Sequence, residues 1–445
     1  YFHTVTETKE EEKVLGGFSL TMITVSLVIG MGIFRTASDA ALASASPSVF
    51  FSAWILGGVV AIFGGLTFAE IGARRPVTGA YYRIFADCYH PSVAFALNAV
   101  IILANAGALA GIALIGSDYL LAGLSPFMET NPTWKTWIGG TSILIFFGVN
   151  LMGLRMSSNT LNVLMLLKLL MLGLIISGIF IAEGQEQPMV QTETELGAMD
   201  FIKSLGLALV AVCFTYGGYQ HTINFGGEVK KADRMVPLSI AAGMTLVIVL
   251  YFGANYSYFH LIGFENLKQA DGIASRVGEA IFGPAGRIVF ALLLFIAAQS
   301  YVNIMLMTNP RILEAMATDP LFKKWFHSES GSGNRQLYFF TLVTLLVLFF
   351  AGTFERIMGF VMVLDSMGMA MGAATLFYYR RQNTGYEGFR MRAYPWPTIL
   401  FILAYVYLVV SIAVSQTQLA VTGFLVFGAL AGLYLLLQKR SKPTS

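Results

Sequence analysis

Apolar segments of about twenty residues recur along this chain, and they constrain its fold more than any other feature. A helix needs roughly 20 apolar residues to cross the hydrocarbon core of a bilayer. The 445-residue sequence is 56% hydrophobic and 12% charged, whereas a soluble domain carries about 25% charged residues. Apolar runs of strand length with alternating polarity are missing from the sequence. The pattern therefore predicts an all-α integral membrane protein rather than a barrel.

The apolar runs predict twelve transmembrane helices within one domain. Short connections join them, and the acidic first residues do not resemble a signal peptide. The predicted spans are residues 18–45, 49–72, 91–124, 136–154, 157–182, 201–228, 237–262, 284–316, 336–352, 354–380, 396–416 and 419–437.

The distribution of Lys and Arg predicts the orientation of the spans. The connections after even-numbered spans, with the C-terminal segment, hold roughly three times as many Lys and Arg as the opposite connections. Basic loops stay in the cytoplasm, so we expect both termini there and the acidic loop 183–200 outside. The expected location is the plasma (inner) membrane.

Glycine pairs interrupt two spans at matched positions. Gly30 and Gly32 fall within the first span, and Gly217 and Gly218 fall within the sixth. Glycine interruptions at corresponding positions of two halves point to a transporter site at the repeat interface. The alternative is close helix packing, for which membrane helices often use glycine. The predicted organisation is a tail (1–17), two inverted repeats of five spans (18–182 and 201–380), two further spans (396–437) and a second tail (438–445).

Unwound backbone within a membrane has polar groups that lipid cannot satisfy. A zwitterion can satisfy them, because a half-helix N-terminus attracts a carboxylate and exposed carbonyls accept from an ammonium. The two interruptions therefore predict a site for a small zwitterion.

Five stretches resemble signatures of the amino acid–polyamine–organocation transporters, particularly the L-type and cationic amino acid transporter branches. Thr78, Ala232 and Pro320 depart from the family patterns. The matching stretches are "VIGMGIF" (28–34), "FAEIGARRPVTGAYYRIF" (68–85), "YGGYQHTINFGGEVKKADRMVPLSI" (216–240), "NPRILEAMATDPLF" (309–322) and "RAYPWPTILFI" (392–402).

The resemblance implies a five-plus-five inverted-repeat fold of the leucine-transporter type, with broken helices 1 and 6. It also implies alternating-access transport of amino acids. Tyr216 would cover the substrate as an aromatic gate. The implied substrate-binding residues are Ile29, Gly30, Met31, Gly32, Ile33, Asn105, Phe214, Thr215, Tyr216, Gly217 and Gly218.

Lys168 is a charged residue in the middle of the fifth span. A lysine facing lipid is costly, so we expect it to face the bundle interior. It could bridge the first span, near Ser26 and Ile29, to the eighth, near Ser300 or Asn303. Its titration could couple transport to protons, or it could be a permanent tether in an exchanger. Both interpretations make a sodium requirement less expected.

Asp365, in the tenth span, could bind a proton, face the substrate or stabilise a bend beside Gly368. Since neither interruption contains an acid, a neutral amino acid is the expected substrate. An inward-pointing Asp365 would reverse that expectation, and Arg35 could favour acidic substrates instead.

Two other function classes compete with a transporter. A membrane transferase needs convergent His, Asp or Ser residues, and only five histidines occur. A non-transporting sensor or receptor would usually carry a signalling domain. We expect no enzyme activity, cofactor, metal or nucleic-acid partner, and the sequence does not predict the oligomeric state.

Overall fold

The computed structural model describes residues 14–181, 197–269, 272–323, 334–350, 354–382, 385–415 and 417–441. Most of the first predicted tail, half of the second (442–445) and most of the acidic loop lie outside these residues. Within the described residues, the only β structure is a pair of isolated bridges, Leu15 with Val229 and Thr78 with Phe225.

The described chain forms α-helices joined by short connections. Two short 3-10 helices, η1 (Tyr219–Asn224) and η2 (Gly226–Glu228), follow α8. The α-helices are α1 (Gly17–Val28), α2 (Gly32–Ala43), α3 (Pro47–Arg74), α4 (Ala80–Cys88), α5 (Pro91–Leu124), α6 (Trp134–Leu151), α7 (Leu154–Ile181), α8 (Ala198–Tyr216), α9 (Ala232–Ile262), α10 (Phe264–Lys268), α11 (Ile273–Met316), α12 (Asn334–Phe350), α13 (Phe354–Gln382), α14 (Trp396–Ser415) and α15 (Thr417–Ser441).

Nine helical segments among the described residues are long and apolar enough to cross a membrane. Two of them combine elements, α1 with α2 and α8 with η1. The apolar helix α12 is shorter, at 17 residues. The prediction of an all-helical, multi-pass membrane protein is confirmed.

Local sequence signals explain several helix boundaries. Proline occupies the first position of α3 and of α5, where its missing N–H costs nothing. The Ser46 hydroxyl caps α3 by accepting a hydrogen bond from the Val49 N–H. The long helix α11 bends at Gly283, which has a positive φ of 67°. The predicted eighth span, 284–316, begins at this bend.

Helix α7 shows how the bundle separates its interior from its lipid-facing surface. Met165, Lys168 and Leu172 are buried at helical spacing. Val163 and Leu170 lie on the other side of the helix and are more than half exposed. An apolar exposed face suits lipid rather than water. The lysine thus lies on the interior face of its helix.

A buried carboxylate joins α3 to the second half of the chain. Glu70 is fully buried and accepts hydrogen bonds from Arg74 at 2.9 Å and from Arg380 at 2.6 and 2.8 Å. The Met391 N–H donates a further bond at 2.8 Å. This network fixes α3 against α13 and the segment before α14.

The Glu70 network should be important for stability. Removing one partner of a buried ion pair costs about 3–5 kcal/mol, because the remaining charge is left uncompensated. We therefore expect Glu70→Gln to lower the melting temperature of the detergent-purified protein. Glu265→Gln is the control, since it removes an exposed pair with Lys268 that is worth about 0–1 kcal/mol. Equal melting temperatures for the two variants would contradict this assignment.

Candidate functional site

The first helix interruption lies between α1 and α2. Helix α1 ends at Val28, α2 begins at Gly32, and the Gly30 N–H donates to the Val28 carbonyl at 2.8 Å. The N-cap residue of α2, Met31, makes no side-chain cap hydrogen bond. The first N–H groups of a helix have no acceptor within it. The N-terminus of α2 therefore presents backbone donors inside the bundle.

The second interruption follows α8. This helix ends at Tyr216, and Gly218 then adopts a φ of 115° before η1 begins. A Cβ atom on Gly218 would lie 2.1 Å from the carbonyl oxygen of Leu27. Both the positive φ and the close approach require glycine. The two interruptions therefore pack against each other directly.

Tyr251 of α9 connects the two interruptions. Its hydroxyl oxygen lies 3.1 Å from the Val28 carbonyl oxygen and 3.3 Å from the Thr215 carbonyl oxygen. The Tyr251 ring contacts the rings of Trp54 and Tyr216. One buried hydroxyl thus lies within hydrogen-bond distance of carbonyls at the ends of both α1 and α8, and its single hydrogen donates to one of them at a time.

Lys168 satisfies a third carbonyl of the interrupted backbone. Its side chain is buried, and the ammonium Nζ donates to the Ile29 carbonyl oxygen at 2.7 Å. Helix α7 is thereby tied to the unwound turn between α1 and α2.

The two interruptions border a cavity of about 570 Å³. Met305 and Ile101 are among the apolar residues that line it. Most of the predicted binding residues line this cavity, as does Asp365 of the predicted coupling set. These residues are Gly30, Met31, Gly32, Asn105, Phe214, Thr215, Gly217, Gly218 and Asp365.

Three predicted binding residues, Ile29, Ile33 and Tyr216, are not among those that line the cavity. Tyr216 is buried against Trp54 and Tyr251 and does not line the cavity, so its role as the aromatic cover of the substrate stays a prediction. Phe214, two residues earlier, lines the cavity instead.

The predicted bridge from Lys168 to α11 is not formed. The Asn303 side chain bonds Ser157 and Asn150, each at 2.9 Å. Ser300 bonds the carbonyl oxygen of Ala297 in its own helix. The Ser26 hydroxyl has no hydrogen-bond partner in the described part of the chain. Lys168 therefore bonds the first interruption and does not bond Ser300 or Asn303 of α11.

Two tyrosines that contribute to the site carried no sequence signal that set them apart. Tyr301 of α11 lines the cavity, and its ring would lie 3.4 Å from a Cβ on Gly30. Tyr251 lies in an ordinary apolar span. His221 contacts the Tyr81 ring at a centroid distance of 4.9 Å and also lines the cavity.

Charged residues line one end of the cavity, and a second set of polar contacts lies at the far end of α1. Arg35 and Asp39 of α2 are exposed side chains that line it. At the far end of α1, about 18 Å away by helical rise, the Leu15 N–H donates to the Glu228 carbonyl oxygen at 3.1 Å. Arg311 pairs with the Glu228 carboxylate at 2.8 Å. This arrangement suits a site that is open from one side of the membrane at a time.

Comparison with known proteins assigns the family. The sequence model of the amino acid permease family matches residues 15–436. This chain belongs to the amino acid permease family. The resemblance to amino acid–polyamine–organocation transporters is thus confirmed, and the permease is a transporter of amino acids rather than an enzyme.

Several curated relatives are transporters too. The permease is 23% identical to the serine/threonine exchanger SteT of Bacillus subtilis over 94% of each chain. It is 27% identical to the human b(0,+)-type amino acid transporter 1 over 64% of this chain and 58% of that one. It is 26% identical to the human cystine/glutamate transporter over 62% of this chain and 54% of that one.

The contact between the interruptions yields a prediction for Gly218→Ala. The added methyl group would meet the Leu27 carbonyl and would strain the positive φ. We expect a loss of about 2 kcal/mol or more in stability, seen as a lower melting temperature and weaker substrate binding. Gly173→Ala in α7 is the control, because nothing lies within 4 Å of its added Cβ. A Gly218→Ala protein as stable as the control would contradict the close contact.

Proposed function

We propose that the permease is a sodium-independent secondary active transporter that binds one amino acid between its two helix interruptions. The observation that supports this most is the cavity of about 570 Å³, which is bordered by Gly30, Met31 and Gly32 on one side and by Phe214, Thr215, Gly217 and Gly218 on the other. A volume of this size is typical of small-molecule sites. Apolar lining with few polar groups at the interruptions suits a small zwitterion.

The substrate's α-carboxylate would accept hydrogen bonds from the backbone N–H groups of Met31, Gly32 and Ile33. The positive end of the α2 dipole favours a negative charge there. The α-ammonium would donate to carbonyls at the end of α8, between Phe214 and Gly217. The Ile29 carbonyl already accepts from Lys168 and the Thr215 carbonyl lies near the Tyr251 hydroxyl, so each would accept from the α-ammonium through its second lone pair. Phe214, rather than Tyr216, would be the aromatic cover.

The helix order supports twelve spans in a five-plus-five arrangement. An interruption follows the first helix of each proposed repeat, after α1 and after α8. In this proposal, residues 18–182 and 201–380 form the inverted repeats, and α14 and α15 trail them. The twelve spans would be α1–α2, α3, α5, α6, α7, α8–η1, α9, α11, α12, α13, α14 and α15.

Sodium independence rests on Lys168. Its ammonium already occupies the position beside the Ile29 carbonyl, where unwound backbone could otherwise coordinate a cation. A second cation there would meet like-charge repulsion. Lys168 would act either as a proton carrier in symport or as a fixed tether in exchange.

Uptake by proteoliposomes tests the function and separates these two roles. We expect uptake of an amino acid without sodium, driven by a proton gradient or by internal amino acid. In Lys168→Ala, loss of gradient-driven uptake with exchange retained would indicate proton coupling. Loss of both with weaker substrate binding would indicate a tether. The exposed Lys203→Ala is the charge-matched control. Absence of uptake of any amino acid by the unaltered protein would overturn the proposal.

The proposed location is the plasma membrane, with both termini cytoplasmic. In a variant with its native cysteines replaced, Glu129→Cys should react with a membrane-impermeant maleimide in intact cells. Lys439→Cys should react only in inverted vesicles. Both positions are exposed. The native Cys88 thiol is a poor probe, because burial, with a smaller effect from Asp87, raises its pKa to about 12. The reverse labelling pattern would show the opposite topology and would contradict the proposed orientation.

A further inference from the structure

We infer that Asp365 of α13 binds a positively charged side chain of the transported amino acid. The inference rests on the proposed amino acid site and replaces the expectation of a neutral substrate. That expectation depended on the lack of an acid in either interruption. The structure places an acid from a different helix in the same cavity.

Asp365 lies at the cavity wall near the middle of α13. It also lines a small adjoining pocket of about 10 Å³, together with Phe214. Its neighbour Leu364 is turned away and is almost fully buried near Gly423. The carboxylate is therefore on the side of α13 that meets the site.

Two aromatic side chains place Asp365 close to the interruptions. It lies within electrostatic range of the Tyr301 and Tyr81 hydroxyls. The Tyr301 ring is in van der Waals range of a Cβ built at Gly30. The Tyr81 hydroxyl lies 3.5 Å from a Cβ built at Gly368, one helical turn beyond Asp365. An extended side chain of an amino acid bound at the interruptions can therefore point toward Asp365.

The Asp365 carboxylate has no partner within the described part of the chain. Among the described residues, Asp365 makes no hydrogen bond or ion pair with any side chain or backbone group. The nearby cations are engaged elsewhere: Lys168 bonds the Ile29 carbonyl, and Arg35 has a partner of its own. His221 also lines the cavity, with its ring against Tyr81.

An acid in the membrane interior normally pairs with a cation or binds a proton. A substrate with an ammonium or guanidinium group at the end of an extended side chain would supply that cation. The α-carboxylate and α-ammonium would remain at the interruptions, and the distal cation would lie beside Asp365. A neutral side chain would leave the carboxylate unpaired in the closed site, which disfavours closure over such a substrate.

The test compares uptake of labelled lysine and alanine by proteoliposomes containing the full chain. In Asp365→Asn, we expect kcat/KM for lysine to fall by about 30-fold or more, the range for loss of one partner of a buried charge pair. The value for alanine should change by less than about threefold, since its contacts at the interruptions are unaltered. Asp365→Glu should retain most of the lysine preference.

Asp39→Asn is the matched control, because Asp39 is the exposed acid of the same cavity. An equal loss of lysine uptake in both variants would assign the effect to general surface potential and overturn the inference. Equal losses of lysine and alanine uptake in Asp365→Asn would also overturn it. Thermal stabilisation of the detergent-purified protein by lysine gives a second readout. Stabilisation of the unaltered protein that persists in Asp365→Asn would contradict the assigned contact.

The outcome for the unaltered protein separates this inference from the function on which it rests. Uptake of alanine without lysine uptake would overturn the role of Asp365 and leave amino acid transport standing. If the unaltered protein takes up neither alanine nor lysine nor any other amino acid, the proposed function itself is overturned.

Discussion

The structure depends on satisfying the backbone of an interrupted helix inside a membrane. Lipid offers no hydrogen bonds, so unwound carbonyls need partners from the protein or from a ligand. The Val28 carbonyl is reached by the Tyr251 hydroxyl and the Ile29 carbonyl by the Lys168 ammonium. The glycine at position 218 lets the second interruption approach the first. The N-terminus of α2, which faces the cavity, has no side-chain cap.

This distribution of partners explains how a stable bundle can contain a ligand site. The protein supplies donors to the carbonyls at the end of α1, whereas the α2 donors have no side-chain cap. An anionic group is the ligand that such donors select. In the proposed transport cycle, the contacts at the far end of α1, including the Glu228–Arg311 pair, would close the other route to the same cavity. In the same proposed cycle, breaking those contacts while closing the charged end would switch access to the site from one side of the membrane to the other, as alternating access requires.

The sequence allowed the helical class, the interrupted segments and the interior position of Lys168 to be predicted, because each has a direct physical signature. Long apolar runs are stable in a lipid bilayer, glycine pairs mark unusual backbone conformations, and a lysine that faces hydrocarbon has a high free-energy cost. The orientation of individual side chains around an unwound segment has no such signature. Helical periodicity ends at Tyr216, and Phe214 rather than Tyr216 lines the cavity. Tyr251 and Tyr301 act through tertiary contacts that only the folded chain brings together.

The central claim is that one amino acid lies between the two interruptions, with its carboxylate on the N-terminus of α2. The most direct test is an experimental structure of the permease with a transported amino acid bound. The account predicts a carboxylate within about 3 Å of the backbone nitrogen atoms of Met31, Gly32 or Ile33, with the α-ammonium beside the end of α8. An amino acid bound elsewhere, or bound here with its carboxylate turned away from α2, would contradict it.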